Sequence, residues 1–357
     1  MMTDDYRREL QEHVRASMDP HRLRVADRMA EINGRYIGLT RDGHLAAALE
    51  GLVASMSTPD PDEQDKRRIV ALVGESDAGK TTALKRHTAD ISALQPFVSG
   101  ATTFKPFLKM LAPSPSSLDL VGAEMMRGVG YPVRRDAKLK GAWQQACDML
   151  PRHRVGCIWI DEAQDAVETA SIPEAKVIGN AFKNLVQMPD WPVRLILSGV
   201  QPLKTFLERP QLKSRVTIVP FDQIDPVLNG DTIDTAMEMI IEDHAGLSRS
   251  RELTKGAKTY DDFRLRLAHG CDKEFGSVVK TIRGVVELAL LERTDLVTRD
   301  HFVRAYDMHA GKPPHENVFT APNWAELVVR QADVEGSVPT WARVGAKKTR
   351  RKYGERP

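Results

Sequence analysis

Arg68-Ile69-Val70-Ala71-Leu72-Val73 runs directly into Gly74-Glu75-Ser76-Asp77-Ala78-Gly79-Lys80-Thr81, and this order decides the fold. After one arginine the first stretch is wholly apolar, the composition of a strand covered on both faces. The second fits Gly-x-x-x-x-Gly-Lys-Thr, and residues 79–90 then read as a helix. Strand, glycine-rich turn and helix in that order form a phosphate cradle. Gly74 and Gly79 let the backbone curl so that successive N–H groups face one anion. The helix N-terminus adds favourable partial charge. In such a loop Asp77, Ala78, Gly79 and Thr82 sit against the phosphates, Lys80 reaches the outer ones, and the Thr81 hydroxyl binds magnesium. ATP and Mg2+ are the expected cofactors. A chance glycine-rich turn is the competing reading; the strand, loop, lysine and helix in sequence argue against it.

Outward from this loop, short apolar runs alternate with helical stretches. Phe97-Val98 begins a second strand, Cys157 to Asp161 reads as a third, Arg194 to Ser198 as a fourth and Val216 to Phe221 as a fifth. Leu139 to Leu150 and Ala175 to Gln187 have helical periodicity. The expectation is α/β: a doubly wound parallel sheet flanked by helices over residues 61–224. Before it, residues 1–60 read as a helical segment broken at Pro20 and ended by Ser57-Thr58-Pro59-Asp60-Pro61. After Asp225 only helices follow, at Asn229–His244, Tyr260–His269, Gly276–Arg293 and Thr298–His309, a helical lid over 225–311. Residues 312–357, with Lys347, Lys348, Arg350, Arg351 and Lys352 near the end, read as a flexible basic tail.

Asp161 ends a buried strand, so its carboxylate lies at the sheet edge where a magnesium ion would sit, and Glu162 is the natural base to orient a water. The alternative is that the pair only caps the following helix. Ser198 ends the fourth strand; its hydroxyl either senses a terminal phosphate or starts the Ser198-Gly199 turn. Arg215, just before the fifth strand, is positioned to reach a neighbouring subunit's nucleotide, with Arg209 a competitor and a plain surface arginine the bland reading. Lys105, Lys109, Arg134, Arg135, Lys138 and Lys140 form basic clusters that either contact DNA phosphates or are a solvated face.

A net charge of only +2 gives no bulk attraction to nucleic acid, so any such role rests on those local clusters. Hydrophobic residues at 41% against 28% charged residues indicate a globular chain with ample core. Cys147, Cys157 and Cys271 have no metal-ligand spacing and read as reduced core thiols. The start MMTDDYRRELQEH has no signal-type apolar stretch, and no run approaches membrane-spanning length. The expectation is a cytoplasmic protein without membrane partners.

These residues together resemble the AAA+ ATPases, and within them the TniB/TnsC family of transposition regulators. Arg35-Tyr36-Ile37, the Ala/Leu-rich helix at 45–56, Pro59 and Arg67-Arg68 precede the loop as in that family, followed by GESDAGKTT at 74–82, CIWIDEAQD at 157–165, LILSGV at 195–200 and PQLKSRV at 210–216. The resemblance implies an ATPase that forms rings or helical filaments on double-stranded DNA. It also implies recruitment of a DDE-type transposase, with a targeting protein of TniQ type choosing the site. It would assign the first sensor to Ser198, the arginine finger to Arg215, and DNA contact to Thr103 and Lys105. The lid departs from many AAA+ chains: valine stands at the usual second-sensor position, leaving Lys280 and Arg283 as candidates. Two other readings share the motifs. An origin-type or helicase-loading ATPase would carry a winged-helix domain after the lid, for which the 45 or so residues after 312 look too short. A nucleotide-dependent signalling switch would bind protein partners and no DNA.

Overall fold

The computed structural model describes residues 2–57, 67–114, 116–133, 139–168, 172–311 and 313–329. Its centre is a five-stranded, wholly parallel sheet. The strands are β1 (Ile69–Val73), β4 (Phe107–Leu111), β5 (Cys157–Asp161), β6 (Arg194–Gly199) and β7 (Val216–Pro220), in spatial order β4-β5-β6-β1-β7. β1, β5 and β6 are buried at every residue, which accounts for their unbroken apolar runs. β6 lies between β1 and β5, pairing Leu72 with Ser198 on one side and Ile160 with Leu197 on the other. The phosphate loop and Asp161 therefore emerge at the same edge, with Ser198 between them.

The sequence reading of Phe97-Val98 as a strand of this sheet is corrected. Phe97–Ser99 (β2) pairs antiparallel with Thr102–Phe104 (β3) in a small separate hairpin, and β4 takes the sheet position beside β5. β4 was not legible because it is an edge strand. Leu108 and Met110 are buried while Lys109 and Leu111 face out, an alternation that lacks the continuous apolar run of a central strand. Val98, exposed to 73%, packs into no core.

Helices cover both sheet faces. α4 (Lys80–Asp90) follows the phosphate loop and packs with α3 (Arg41–Ala54), whose Leu45, Leu49 and Leu52 join Val70, Leu72 and Trp159 in one core. On the other face α5 (Leu118–Gly128), α6 (Ala142–Arg152), the short α7 (Asp165–Glu168), α8 (Ile172–Val186), α9 (Gln201–Leu207) and α10 (Pro210–Lys213) close a larger core. There Phe182 meets Phe206 edge to face at 6.3 Å. Cys147, Cys157 and Cys271 are free and buried, and burial pushes the Cys157 thiol up to about 12, so it stays protonated and inert.

The C-terminal helices form their own core. They comprise α11 (Gly230–Met237) continuing into a π-helical turn at Glu238–His244, α12 (Tyr260–Gly270), α13 (Phe275–Leu291) and α14 (Arg299–Ala310), with a two-residue parallel pairing of β8 (Ser248–Arg249) and β9 (Leu296–Val297). Phe263 contacts Phe302 at 4.8 Å and Phe319 at 5.7 Å. The N-terminal segment is shared between the two cores. α1 (Met2–Ser17) leads into α2 (Pro20–Gly34), whose Val25, Met29 and Ile32 belong to the lid core, whereas α3 belongs to the sheet. Arg28 and Arg35 donate to the carbonyls of His244 and Asp243, using acceptors at the end of the π turn.

The reading of 312–357 as a flexible tail is corrected for its first part. Asn317, Val318, Phe319 and Ala321 are buried against the lid, and Arg266 donates to the carbonyls of Val318 and Ala321 at 2.8 Å each. A short non-periodic apolar stretch among prolines carries no sequence signal for packing. The basic residues from 343 onward lie outside the described residues.

Candidate nucleotide-binding site

The loop after β1 curls at one glycine and one non-glycine position. Asp77 and Gly79 both take left-handed conformations, at φ +66° and +92°. Gly74 is obligatory for a second reason: a Cβ there would stand 2.3 Å from the Phe221 carbonyl oxygen. Lys80 is buried and its ammonium donates to the carbonyls of Gly74 at 2.9 Å and Glu75 at 2.8 Å. Burial lowers its pKa, and the nearby carboxylates of Glu162, Glu274, Glu75 and Asp161 oppose that shift. A cation held by loop carbonyls in a desolvated acidic setting is poised to exchange those partners for phosphate oxygens.

Asp161 is the hub of the facing wall. Thr81 donates to both its carboxylate oxygens at 3.1 Å, and Ser198 donates to Oδ1 at 2.6 Å. Ser198 is wholly buried and in turn accepts from the Trp159 indole N–H at 2.7 Å. Its hydroxyl is thus engaged in orienting Asp161 rather than exposed to the cavity. Lys109, grouped by sequence with the basic residues that are candidates for DNA contact, instead lies over the Trp159 ring at 3.9 Å. Its ammonium is 3.7 Å from Asp161 Oδ2. Burial lowers its pKa, against the pull of Asp161. Glu162 sits at φ +52°, a conformation costly for a non-glycine residue, with Oε2 accepting from Gln164 at 2.8 Å. Gln164 is buried and also accepts from Val200 N–H, which fixes the turn behind Glu162.

The oxygens of Thr81 and Asp161 suit a hard divalent cation such as magnesium. Among the described residues no group of three or more His, Cys, Asp or Glu side chains forms a protein-only metal cage.

A cavity of about 550 Å³ opens from the loop toward α2 and α13. Tyr36, Ile37 and Leu39 line its far side, braced by Asp42, which accepts from the Tyr36 hydroxyl at 3.0 Å and Leu39 N–H at 2.8 Å. Thr82 lines its near side. The lid closes directly on the loop. Lys280 pairs with Asp77 at 2.5 Å, and a Cβ on Gly276 would lie 2.2 Å from the Asp77 carbonyl oxygen. Arg283, the other second-sensor candidate, donates to the carbonyls of Ile32 and Arg35 and so holds the α2 end against the lid. Gly276→Ala is expected to force α13 off the loop and weaken ADP binding about 5- to 150-fold, the equivalent of about 1–3 kcal/mol of overpacking, with unchanged helical content. Titration of a fluorescent ADP analogue with circular dichroism checks this.

The remaining candidates lie elsewhere. Arg215 donates to the Gln211 carbonyl at 2.9 Å and to Gln187 at 3.3 Å. It precedes β7, which runs parallel to β1 with Val216 beside Ile69. It is therefore at the sheet edge opposite the phosphate loop. Arg209 lies over Phe206 at 5.2 Å. Thr103 and Lys105 are exposed on and just after the β2–β3 hairpin, and Lys140 is exposed before α6. Arg134, Arg135 and Lys138 fall outside the described residues. Sequence reasoning missed Arg41, Lys109, Trp159 and Gln164 as parts of the site. Arg41 and Lys109 belong to no motif, and Trp159 and Gln164, though inside the 157–165 stretch, carry no phosphate- or metal-binding signal of their own; the strand register and the packing of α3 bring all four in.

The fold resembles solved proteins at low identity. Cdc6p from Pyrobaculum aerophilum superposes with a TM-score of 0.54 at 12% identity, covering 80% of this chain and 75% of that one. The Orc1 protein of Aeropyrum pernix, solved in complex with DNA, gives 0.53 at 17%, covering 77% of this chain and 66% of that one. Among curated proteins none matches the chain. The model of the family described as bacterial TniB protein matches residues 28–225, more than half of the chain. With its AAA+ fold and intact phosphate loop, this nucleotide-binding ATPase belongs to the TniB family.

Proposed function

We propose that the chain is an ATP-dependent, DNA-binding regulator of transposition. It oligomerises on duplex DNA and links target-site selection to recruitment of a transposase. The observation that carries this reading is the position of Arg215. β1 is five residues long, so its two ends are roughly 16 Å apart. An arginine at the far end from the phosphate loop cannot reach its own nucleotide, yet lies at a surface where it can meet a neighbour's. Nucleotide at such an interface couples assembly to ATP. Family membership supports duplex DNA, a transposase and a targeting protein of TniQ type as the partners.

Within one subunit, Lys80 and the loop N–H groups bind the phosphates, Thr81 and Asp161 hold magnesium, and Ser198 keeps Asp161 oriented. When bound, magnesium neutralises developing phosphate charge. Glu162 accepts the proton of the attacking water, with Gln164 holding its carboxylate in place. Thr103 and Lys105 on the hairpin, with Lys140, are the candidate contacts to DNA phosphates.

Light scattering with a non-hydrolysable ATP analogue and duplex DNA tests the reading. Large assemblies are expected only with both present, with little sequence preference. DNA affinity should fall by about 10³-fold between 50 and 200 mM salt if some six phosphates are neutralised. A chain that stays monomeric with both ligands overturns it.

A further inference from the structure

Arg41 belongs to no phosphate-binding motif, yet it is built into the phosphate loop. It is the first residue of α3, outside the strand–loop–helix unit. Its guanidinium lies over the Phe221 ring at 4.1 Å and 5.6 Å from the Phe275 ring centre. Nη2 donates to the Ala78 carbonyl at 2.5 Å, and Nη1 reaches the Asp222 carbonyl at 3.4 Å. One planar group thus touches the N-terminal segment, the loop, the end of β7 and the first residue of the lid helix α13.

The bond to Ala78 matters because of what the same peptide presents on its other side. A trans peptide is planar, so its C=O and the next N–H point in opposite directions. Fixing the Ala78 oxygen toward Arg41 therefore turns the Gly79 N–H away from Arg41. Gly79, at φ +92°, has no side chain to hold that peptide plane, and a glycine on one flank lowers the cost of a flip. The other inward carbonyls of the loop, Gly74 and Glu75, are held by Lys80. Ala78 is held by Arg41, so the carbonyls face cations and the N–H groups are left for an anion. Lysine could supply the donor, whereas a planar group packed over the Phe221 ring is specific to a guanidinium.

We infer that Arg41 is a positioning residue for phosphate binding: its bond to the Ala78 carbonyl presets the Gly79 N–H toward the phosphates. The inference rests on the nucleotide-binding reading of the loop. Its signature is a loss that depends on the phosphates of the ligand and not on the rest of the nucleotide, because the preset N–H belongs to the phosphate cradle.

The test compares ADP and AMP binding by calorimetry for the wild-type chain, Arg41→Met and Arg41→Lys. Methionine keeps a similar length and apolar packing without a donor; lysine restores a donor. Arg41→Met is expected to lose about tenfold in ADP affinity, the worth of one charge-assisted hydrogen bond, while AMP affinity changes by less than about threefold. Arg41→Lys should recover most of the ADP loss. Equal losses for ADP and AMP, no ADP loss, or a lysine variant as weak as the methionine one each overturn the inference. If Arg41→Met does not fold, Arg41→Lys decides alone: retained ADP affinity supports the donor role, and a loss of about tenfold overturns it. Failure of the wild-type chain to bind ADP would instead remove the nucleotide reading itself.

Discussion

Lys80→Ala is expected to weaken ATP at least about 100-fold, because the ammonium can form two charge-assisted hydrogen bonds to phosphate oxygens worth about 1.5–3 kcal/mol each. The unliganded protein should not lose stability. Lys80 is buried, and burial lowers its pKa, so the folded state holds this cation at a desolvation cost. Its present partners are the Gly74 and Glu75 carbonyls, on a loop whose Ser76, Asp77, Gly79 and Lys80 line the cavity. The expected pattern is an unchanged or raised melting temperature without ligand, and loss of the upward shift expected of the wild-type chain with ATP. Thermal melts with and without ATP measure both. A variant that melts far lower without ligand would mean that Lys80 serves the fold first.

The second large effect is on turnover. Glu162→Gln is expected to retain ATP affinity and lose about 10²–10⁴-fold in hydrolysis, the range for a general base. The substitution is conservative in shape: glutamine's side-chain oxygen still accepts from Gln164, and the φ of +52° is no harder for glutamine than for glutamate. What disappears is the capacity to take a proton. Phosphate release in a single turnover separates this from a binding defect, and the variant should hold the proposed assembly on DNA for longer. Turnover within about threefold of wild type would remove Glu162 from the base role.

Lys109 shows how a correct local reading can still assign the wrong surroundings. As part of a run with Lys105 it reads as a basic patch, and from sequence a patch is most simply solvated. β4 alternates, however, and its register with β5 puts Lys109 beside Trp159 and Asp161. The same strand explains the mistaken assignment at Phe97-Val98. An apolar doublet ahead of a turn has the composition of a buried strand, but only pairing decides which segment enters the sheet, and Phe107–Leu111 does so.

The fate of Ser198 has a similar cause. Sequence leaves its hydroxyl with two roles, sensing a phosphate or starting a turn. The insertion of β6 between β1 and β5 gives it a third, since both Asp161 and the Trp159 indole come within hydrogen-bond distance.

By itself the sequence determined the chemistry that is local. Gly74 to Thr81 specifies a loop whose backbone conformation follows from its glycines, and unbroken apolar runs specify central strands with a carboxylate at the end of one of them. These signals need no partner, because backbone sterics and burial period act over a few neighbouring residues. Only the tertiary structure decided which groups face that loop. Arg41 arrives from a preceding helix, Lys109 from an edge strand, and Gly276 from a lid nearly 200 residues later. Their contacts depend on strand order and helix packing, which are set by the whole core and leave no short-range trace in the chain.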